Sequence, residues 1–391
     1  MSVSVADCRV LIVDDNEFNR KSLALVLRKA GITNVDFAVD GRNGLEKVAA
    51  FRPDLVLLDV AMPTMDGLEM CRTVRQDPAL AELPILFQTA HDSDEEQVQC
   101  FDAGGSDFIS KPIKPGECVA RVRHHLEKRK LFNDLVAFRA RLERELRHAQ
   151  AMQLSLLPEN EKLAAIGRRH GLSIRSHFET SSELGGDLWM VFELDPSRVA
   201  FLILDFAGHG ITAAINTFRL HTLVDRVAAS REDPGSWLAA LSQLLKDVLP
   251  VGQFATAFYA LLDRNTDTLT YAAAGSPPPL LGLPDGSLTA LPSSGFPLGV
   301  SRRPVYPNQT TDMPPGSFLF LYSDALVECT GFTETALGYE GVERLVQEAT
   351  SRSEPLDWMM ERFFARTPRP LRDDLTTIWL RRLERPAAEP L

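Results

Sequence analysis

Over residues 8–128, short apolar runs alternate with amphipathic stretches. CRVLIVDD, VDFAV, PDLVLLD, LPILFQT and SDFIS are rich in Val, Ile and Leu, the pattern of strands covered on both faces. Between them lie helical patterns such as FNRKSLALVLRKAG, which closes on Gly31 as a helix C-terminus does. Repeated strand-then-helix units predict a doubly wound α/β domain built on a five-stranded parallel sheet. Such sheets bind ligands outside the carboxyl ends of their strands. Asp14, Asp15, Asp59, Thr89 and Lys111 all fall at or just past those ends.

The pattern changes at residues 118–158, which contain no Gly and hold their only Pro at Pro158. Leu131, Leu135, Phe138, Leu142, Leu146, Ala149 and Gln153 recur at steps of three and four, a narrow apolar seam on one long helix. The expectation is a helical, coiled-coil-like linker that Pro158 ends. Two readings fit the seam: a helix lying on one of its own domains, or a dimer through the linker helix.

The third segment, residues 159–384, mixes strand runs (LSIRSHF, LWMVFEL, RVAFLILDF, FATAFYALLD, TLTYAAAG, SFLFLYSD, LTTIWLRRL) with two clear helices, ITAAINTFRLHTLVDRVAA and PGSWLAALSQLLKDVL. Strands and helices out of strict alternation predict an α+β domain, an αββα sandwich.

Composition narrows the function classes. A net charge of −11 over 391 residues argues against a nonspecific grip on nucleic acid, which needs a basic face. The basic stretch RVRHHLEKRK reads as the solvated face of a helix. Five scattered cysteines offer no zinc site and suit a reducing compartment. No secretion signal opens the chain, and VAFLILDFAG, the longest apolar run, is too short to span a bilayer. The expected location is cytoplasmic, with neither nucleic acid nor membrane as partner.

An aspartate attacks phosphorus usefully only when a cation neutralises the charge it meets. Asp14 and Asp15 can help hold Mg²⁺, and Asp59 in LVLLDVAMPTMDG is the natural acceptor. Thr89 can hydrogen-bond the new phosphoryl oxygens and Lys111 can pair with their charge. LIVDDNE, LLDVAMPTMDG, QTA and Lys111–Pro112 together resemble the receiver domain of two-component response regulators. That resemblance implies Asp59 as phospho-acceptor, Asp14 and Asp15 with Asp59 at the Mg²⁺, and Thr89 and Lys111 as phosphoryl sensors. It makes Phe108 a switch aromatic; filling the core is the plainer reading of the same residue. It also implies an upstream histidine kinase or phosphotransfer protein.

Beyond residue 158 the acids are spread over ELGGD, LDFAGHG, LYSDA and RDD. Carboxylates delivered by strand ends suit a pair of hard cations, which can activate water against a phosphate ester. Gly185 and Gly186 would let the backbone come close to a ligand. In this order the motifs resemble the SpoIIE/RsbU branch of the metal-dependent type 2C serine/threonine phosphatases, with further matches in AMQLSLLP, YAAAGSPPPLL and GFPLGV. The resemblance implies two Mg²⁺ or Mn²⁺ ions, with Asp187 and Asp205 bridging them and Phe206 offering its carbonyl. Asp324 and Asp373 would complete the ligand shell, and Asp374 occupies a neighbouring position. Two departures stand out: Ala325 where the family commonly has Gly, and Ser276 where it has His. Ala325 is tolerable unless the turn needs a positive φ. His209 is placed either to protonate a leaving group or to shape its loop.

Joined by a helix, the two segments resemble regulators of bacterial partner switching. That likeness implies, as substrate, a phosphoserine or phosphothreonine on an anti-sigma-factor antagonist, and hence control of a sigma factor. A second reading comes from another class. The same layout with an eroded metal site resembles the RssB-type adaptors, which deliver a stationary-phase sigma factor to the ClpXP protease; the layout is also similar to that of the RssB-type proteins of pseudomonads, a name that does not imply the same mechanism.

Overall fold

The structure, a computed structural model, describes residues 5–89, 94–208, 210–330 and 336–384. Ala90 of the QTA motif and His209 lie outside the described residues. The chain divides into two compact units, residues 1–142 and 143–391.

The first unit alternates strands and helices: β1 (Val10–Val13), α1 (Glu17–Lys29), β2 (Val35–Ala38), α2 (Gly41–Phe51), β3 (Leu55–Asp59), α3 (Gly67–Arg75), β4 (Ile85–Thr89), α4 (Asp94–Asp102), β5 (Asp107–Ser110) and the start of α5 (Pro115–Leu154). The sheet order is β2-β1-β3-β4-β5, parallel throughout. Val10, Ile12, Leu55 and Leu57 face a core shared with Leu23 and Leu27 of α1 and with Cys118, Val122 and Leu126 of α5. Leu11, Val13, Val56 and Leu58 face the opposite core with Met70 and Val74. Strands buried on both faces are what the uninterrupted apolar runs require.

Helix α5 runs 40 residues. Its first turns are anchored by Cys118, Val122 and Leu126, but Leu131, Leu135, Phe138 and Leu142 are exposed. The helix ends at Leu154, four residues before Pro158; the chain has already turned at Leu156 and Leu157, whose N–H groups bond the Gln153 and Leu154 carbonyls.

The second unit continues with α6 (Asn160–His170), β6 (Leu172–Glu179), β7 (Asp187–Glu193), β8 (Arg198–Phe206), α7 (Ile211–Val224), α8 (Pro234–Val248), β9 (Ala255–Asp263), β10 (Thr268–Ala274), β11 (Leu280–Gly282), β12 (Leu288–Ala290), β13 (Gln309–Asp312), β14 (Phe318–Tyr322), α9 (Ala325–Glu328), α10 (Gly338–Ala349), α11 (Pro355–Phe364) and β15 (Leu375–Arg382). Two antiparallel sheets result, ordered β13-β10-β9-β8-β7 and β12-β11-β14-β15-β6. Trp189, Phe201, Ile203 and Phe258 of one meet Leu319, Leu321, Ile378 and Leu380 of the other in the central core. Leu220, Trp237, Leu238 and Leu241 cover the first sheet outside, and Val342, Val346, Met359 and Phe363 cover the second. The layers are helix, sheet, sheet, helix.

Two local differences from the sequence pattern have physical causes. The run ITAAINTFRLHTLVDRVAA is not one helix: α7 ends at Val224 and a 3-10 turn follows through Ser230. Arg231 bonds Asp225 at 2.8 Å and its carbonyl accepts from the Tyr259 hydroxyl, which fixes the bend. The short strands β11 to β13 lack a long apolar run because each borrows its partner from an established neighbour.

Candidate functional site

In the first unit, parallel strands bring their carboxyl ends to one edge. Asp14 and Asp15 follow β1, Asp59 ends β3, Thr89 ends β4, and Lys111 follows β5. One carboxylate oxygen from each of Asp14, Asp15 and Asp59 lies within 4.8 Å of the others. Lys111 Nζ is 2.7 Å from Asp59 Oδ2 and 3.4 Å from Asp14 Oδ2. Asp14 is fully buried, accepting from the Asn16 N–H at 2.8 Å and from the Asn19 amide. Asn16 in turn caps α1. Burial raises the Asp59 carboxyl above its ordinary range, and the Lys111 ammonium opposes that rise. Gly67 lets α3 approach this strand end: a Cβ there would lie 2.1 Å from the Asp59 carbonyl oxygen.

The Thr89 hydroxyl is buried and has no hydrogen-bond partner among the described residues, whereas its carbonyl accepts the Lys111 N–H at 2.8 Å. An unpartnered buried hydroxyl one strand from Asp59 has spare capacity for an incoming oxygen. Phe108 is half-buried and packs against the core below α3 and α4, edge-on to Phe101 at 6.0 Å and under the Arg121 guanidinium at 5.6 Å.

In the second unit the antiparallel strands deliver acids from both directions. Asp187 opens β7 and pairs in register with Asp205 near the end of β8. Asp324 follows β14 and Asp373 precedes β15. Asp187 and Asp205 thus stand on neighbouring strands, close enough for each to disfavour the other's charge. Burial, then the charges of Asp187, Asp324 and Asp373, push Asp205 up to about 11. Asp324 is pushed up to about 6 by burial and by Asp373. Burial also holds Asp187 well above the usual carboxylate range, and its Oδ1 has no hydrogen-bond partner. The Phe206 carbonyl faces the same turn, since a Cβ on Gly186 would meet it at 2.8 Å.

Against known proteins, residues 10–123 match the response regulator receiver domain family, and residues 195–383 match the family described as Stage II sporulation protein E (SpoIIE). The chain thus joins a segment that matches the receiver family to one that matches the SpoIIE family and has a PP2C-like fold. Response regulator MprA of Mycobacterium ulcerans is 45% identical over 129 residues, 33% of this chain and 54% of that protein. A putative response regulator from Chloroflexus aurantiacus is 39% identical, covering 30% of this chain and 97% of its own, with a TM-score of 0.30. The SiaA-PP2C domain of Pseudomonas aeruginosa shares the fold at 20% identity and a TM-score of 0.56, covering 63% of this chain and 98% of that one. The chain spans about half the length of the curated relatives it matches. Among the described residues, no helix is long and apolar enough to cross a membrane.

The SpoIIE-family domain holds its acids through residues whose roles the sequence did not announce. Thr376 donates its hydroxyl to Asp187 Oδ2 at 2.6 Å, and the Ser323 hydroxyl accepts the Thr376 N–H at 2.9 Å. Asp374 is buried and accepts from the Ser181 N–H at 2.7 Å and from the Gly186 N–H. It thus ties down the turn before Asp187 instead of facing the other carboxylates. The close approach made possible by Gly185 and Gly186 is to the protein's own Asp374 and Phe206.

Gln153 is buried at the end of α5. Its amide nitrogen donates to the Gly185 carbonyl at 2.6 Å and to Thr217 Oγ1 at 3.2 Å, while its oxygen accepts the Gly185 N–H at 3.1 Å. The signal was present: a glutamine at an apolar seam position needs partners wherever it is buried. Ala325 takes a helical conformation at the start of α9 and needs no positive φ. Ser276 lies 3.1 Å from Ser293, whose hydroxyl donates to the Ser276 carbonyl at 2.6 Å.

Among the described residues, only Asp14, Asp15 and Asp59 bring three carboxylate oxygens within 4.8 Å of one another; Asp187, Asp205, Asp324 and Asp373 are not drawn together that closely. The chemistry of the second set still suits divalent cations, which would relieve the mutual repulsion of buried acids.

Proposed function

We propose that the chain is a response regulator in which phosphorylation of Asp59 controls a metal-dependent protein serine/threonine phosphatase. What supports this is the set of four acids at strand ends of the second unit, with Asp205 paired in register with Asp187 and feeling the charges of Asp187, Asp324 and Asp373. Asp187 and Asp205 would bridge two Mg²⁺ or Mn²⁺ ions, with the Phe206 carbonyl, Asp324 and Asp373 as the other ligands. When bound, such a pair activates water and neutralises phosphoryl oxygens. Thr376 would hold Asp187 in one rotamer, and Asp374 would hold the turn that presents it.

At the receiver, Asp14, Asp15 and Asp59 would hold Mg²⁺, and a histidine kinase or phosphotransfer protein would supply the phosphoryl group. Thr89 and Lys111 would receive its oxygens, and Phe108 would respond to the movement of Thr89. The exposed seam of Leu131, Leu135, Phe138 and Leu142 supports a homodimer through α5. The substrate we assign is a phosphoserine or phosphothreonine on an anti-sigma-factor antagonist, so that the output reaches a sigma factor.

Phosphate release from such an antagonist is expected with Mn²⁺, to stop with EDTA, and to fall at least about 10³-fold in Asp187→Ala. Undiminished biological output in Asp187→Ala would sink the enzyme and favour the adaptor that delivers a sigma factor to ClpXP. For the receiver, phosphoramidate with Mg²⁺ is expected to produce an acid-stable, base-labile acyl phosphate in the wild type and none in Asp59→Asn, read on a phosphate-affinity gel. A modified Asp59→Asn chain would place the acceptor elsewhere.

A further inference from the structure

A cleft of about 430 Å³ opens between α10 and α11 in the second unit. Arg344, Arg362 and Arg366 line it over an apolar floor that includes Leu345 and Phe363, and Glu348 is the acid among the lining residues. Arg362 is engaged, 3.9 Å from Glu348 and stacked on Trp358 at 5.2 Å. Arg344 and Arg366 are exposed and make no ion pair among the described residues. Among the described lining residues, three guanidiniums against one carboxylate make this a basic site on a chain whose net charge is −11.

Its position matters as much as its charge. One wall ends at Cys329, which closes the short helix that Asp324 begins. The other wall, Arg366 and Thr367, leads along the chain to Asp373. Cys329 also feels the charges of Asp373 and Asp324, so this end of the cleft lies near those acids.

We propose that this cleft docks an acidic segment of the phosphoprotein substrate, its carboxylates on Arg344 and Arg366 and an apolar side chain on Leu345 and Phe363. The identity of the occupant rests on the phosphatase reading above; the chemistry it must have rests on the cleft alone. Planar guanidiniums suit carboxylates, and two exposed ones on neighbouring helices set a spacing as well as a charge. Such a contact selects substrate without taking part in the reaction.

The test uses the full chain and a fluorescein-labelled peptide of glutamates around a central leucine, followed by anisotropy. Saturable binding is expected, weakening as salt rises, and at least tenfold weaker in Arg344→Glu/Arg366→Glu. The milder Arg344→Gln/Arg366→Gln pair, checked by thermal unfolding, guards against a folding defect. Hydrolysis of p-nitrophenyl phosphate with Mn²⁺ should be the same in wild type and both variants, because that small ester does not reach the cleft. No saturable binding to wild type, or equal binding by the folded variants, would overturn the proposal. Peptide binding without any p-nitrophenyl phosphate hydrolysis would uphold the cleft and count against the phosphatase reading instead.

Discussion

Asp205→Asn is expected to abolish metal-dependent phosphate release while making the metal-free protein more stable. The loss follows from removing a ligand placed to bridge both cations, and should reach about 10³-fold or more, some 4 kcal/mol of barrier. The gain follows from proton linkage. Asp205 titrates near 11 in the folded, metal-free domain, against about 3.9 in an unfolded chain. Between those values the unfolded state has released a proton that the folded state retains, so this group's contribution to stability falls as pH rises. Asparagine matches the neutral acid in shape and escapes that penalty, so at pH 7.5 the metal-free variant should exceed wild type on the order of 2–4 kcal/mol. The gap should close toward pH 4 and reverse when saturating Mn²⁺ stabilises only the wild type. Thermal unfolding across pH, with and without Mn²⁺, reads all three effects. An Asp205→Asn protein less stable than wild type without metal would contradict the raised Asp205 carboxyl.

Gln153→Ala should cost both stability and activity. The substitution strips partners from the Gly185 N–H and carbonyl in a buried turn. Unsatisfied buried groups of this kind cost about 2–4 kcal/mol together. The same turn leads directly into Asp187, so Mn²⁺ affinity and phosphate release should each fall roughly 10- to 100-fold, as when an outer contact to a metal ligand is lost. Acyl-phosphate formation at Asp59 should be unchanged, because Gln153 belongs to the other unit. Calorimetric Mn²⁺ titration and phosphate release measure the loss, and the phosphate-affinity gel measures the control. Unaltered Mn²⁺ affinity would show that the turn holds Asp187 without Gln153.

Much of this architecture was legible because burial and geometry leave regular traces. Strands covered on both faces must be continuously apolar, so Val10–Val13, Leu55–Asp59 and Ile85–Thr89 announced the first sheet and the edge where Asp14, Asp59 and Thr89 meet. The acids of the second unit were visible as polar residues breaking apolar runs. Their supports were not: Thr376 and Ser323 read as ordinary strand and turn residues, because which hydroxyl meets Asp187 depends on pairing between strands far apart in sequence. Asp373 and Asp374 looked alike side by side, and the turn before β15 gives them different partners: Asp374 accepts from the Gly186 N–H, while Asp373 adds its charge to that felt by Asp205. The Gln153 seam position was counted by its spacing, but its partners Gly185 and Thr217 appear only when α5 is placed against the domain it enters. The end of α7 at Val224 was hidden for a similar reason, since Arg231 and Tyr259 fix the bend from outside the helix.

The measurement closest to the central claim is the phosphate-release rate of the full chain with Mn²⁺, before and after phosphoramidate treatment, in wild type and Asp59→Asn. Linkage of the two domains predicts a rate that changes at least threefold in wild type, in either direction, and stays constant in Asp59→Asn. An equal rate before and after treatment in wild type, with Asp59 shown to be phosphorylated, would contradict the claim that the receiver controls the phosphatase domain.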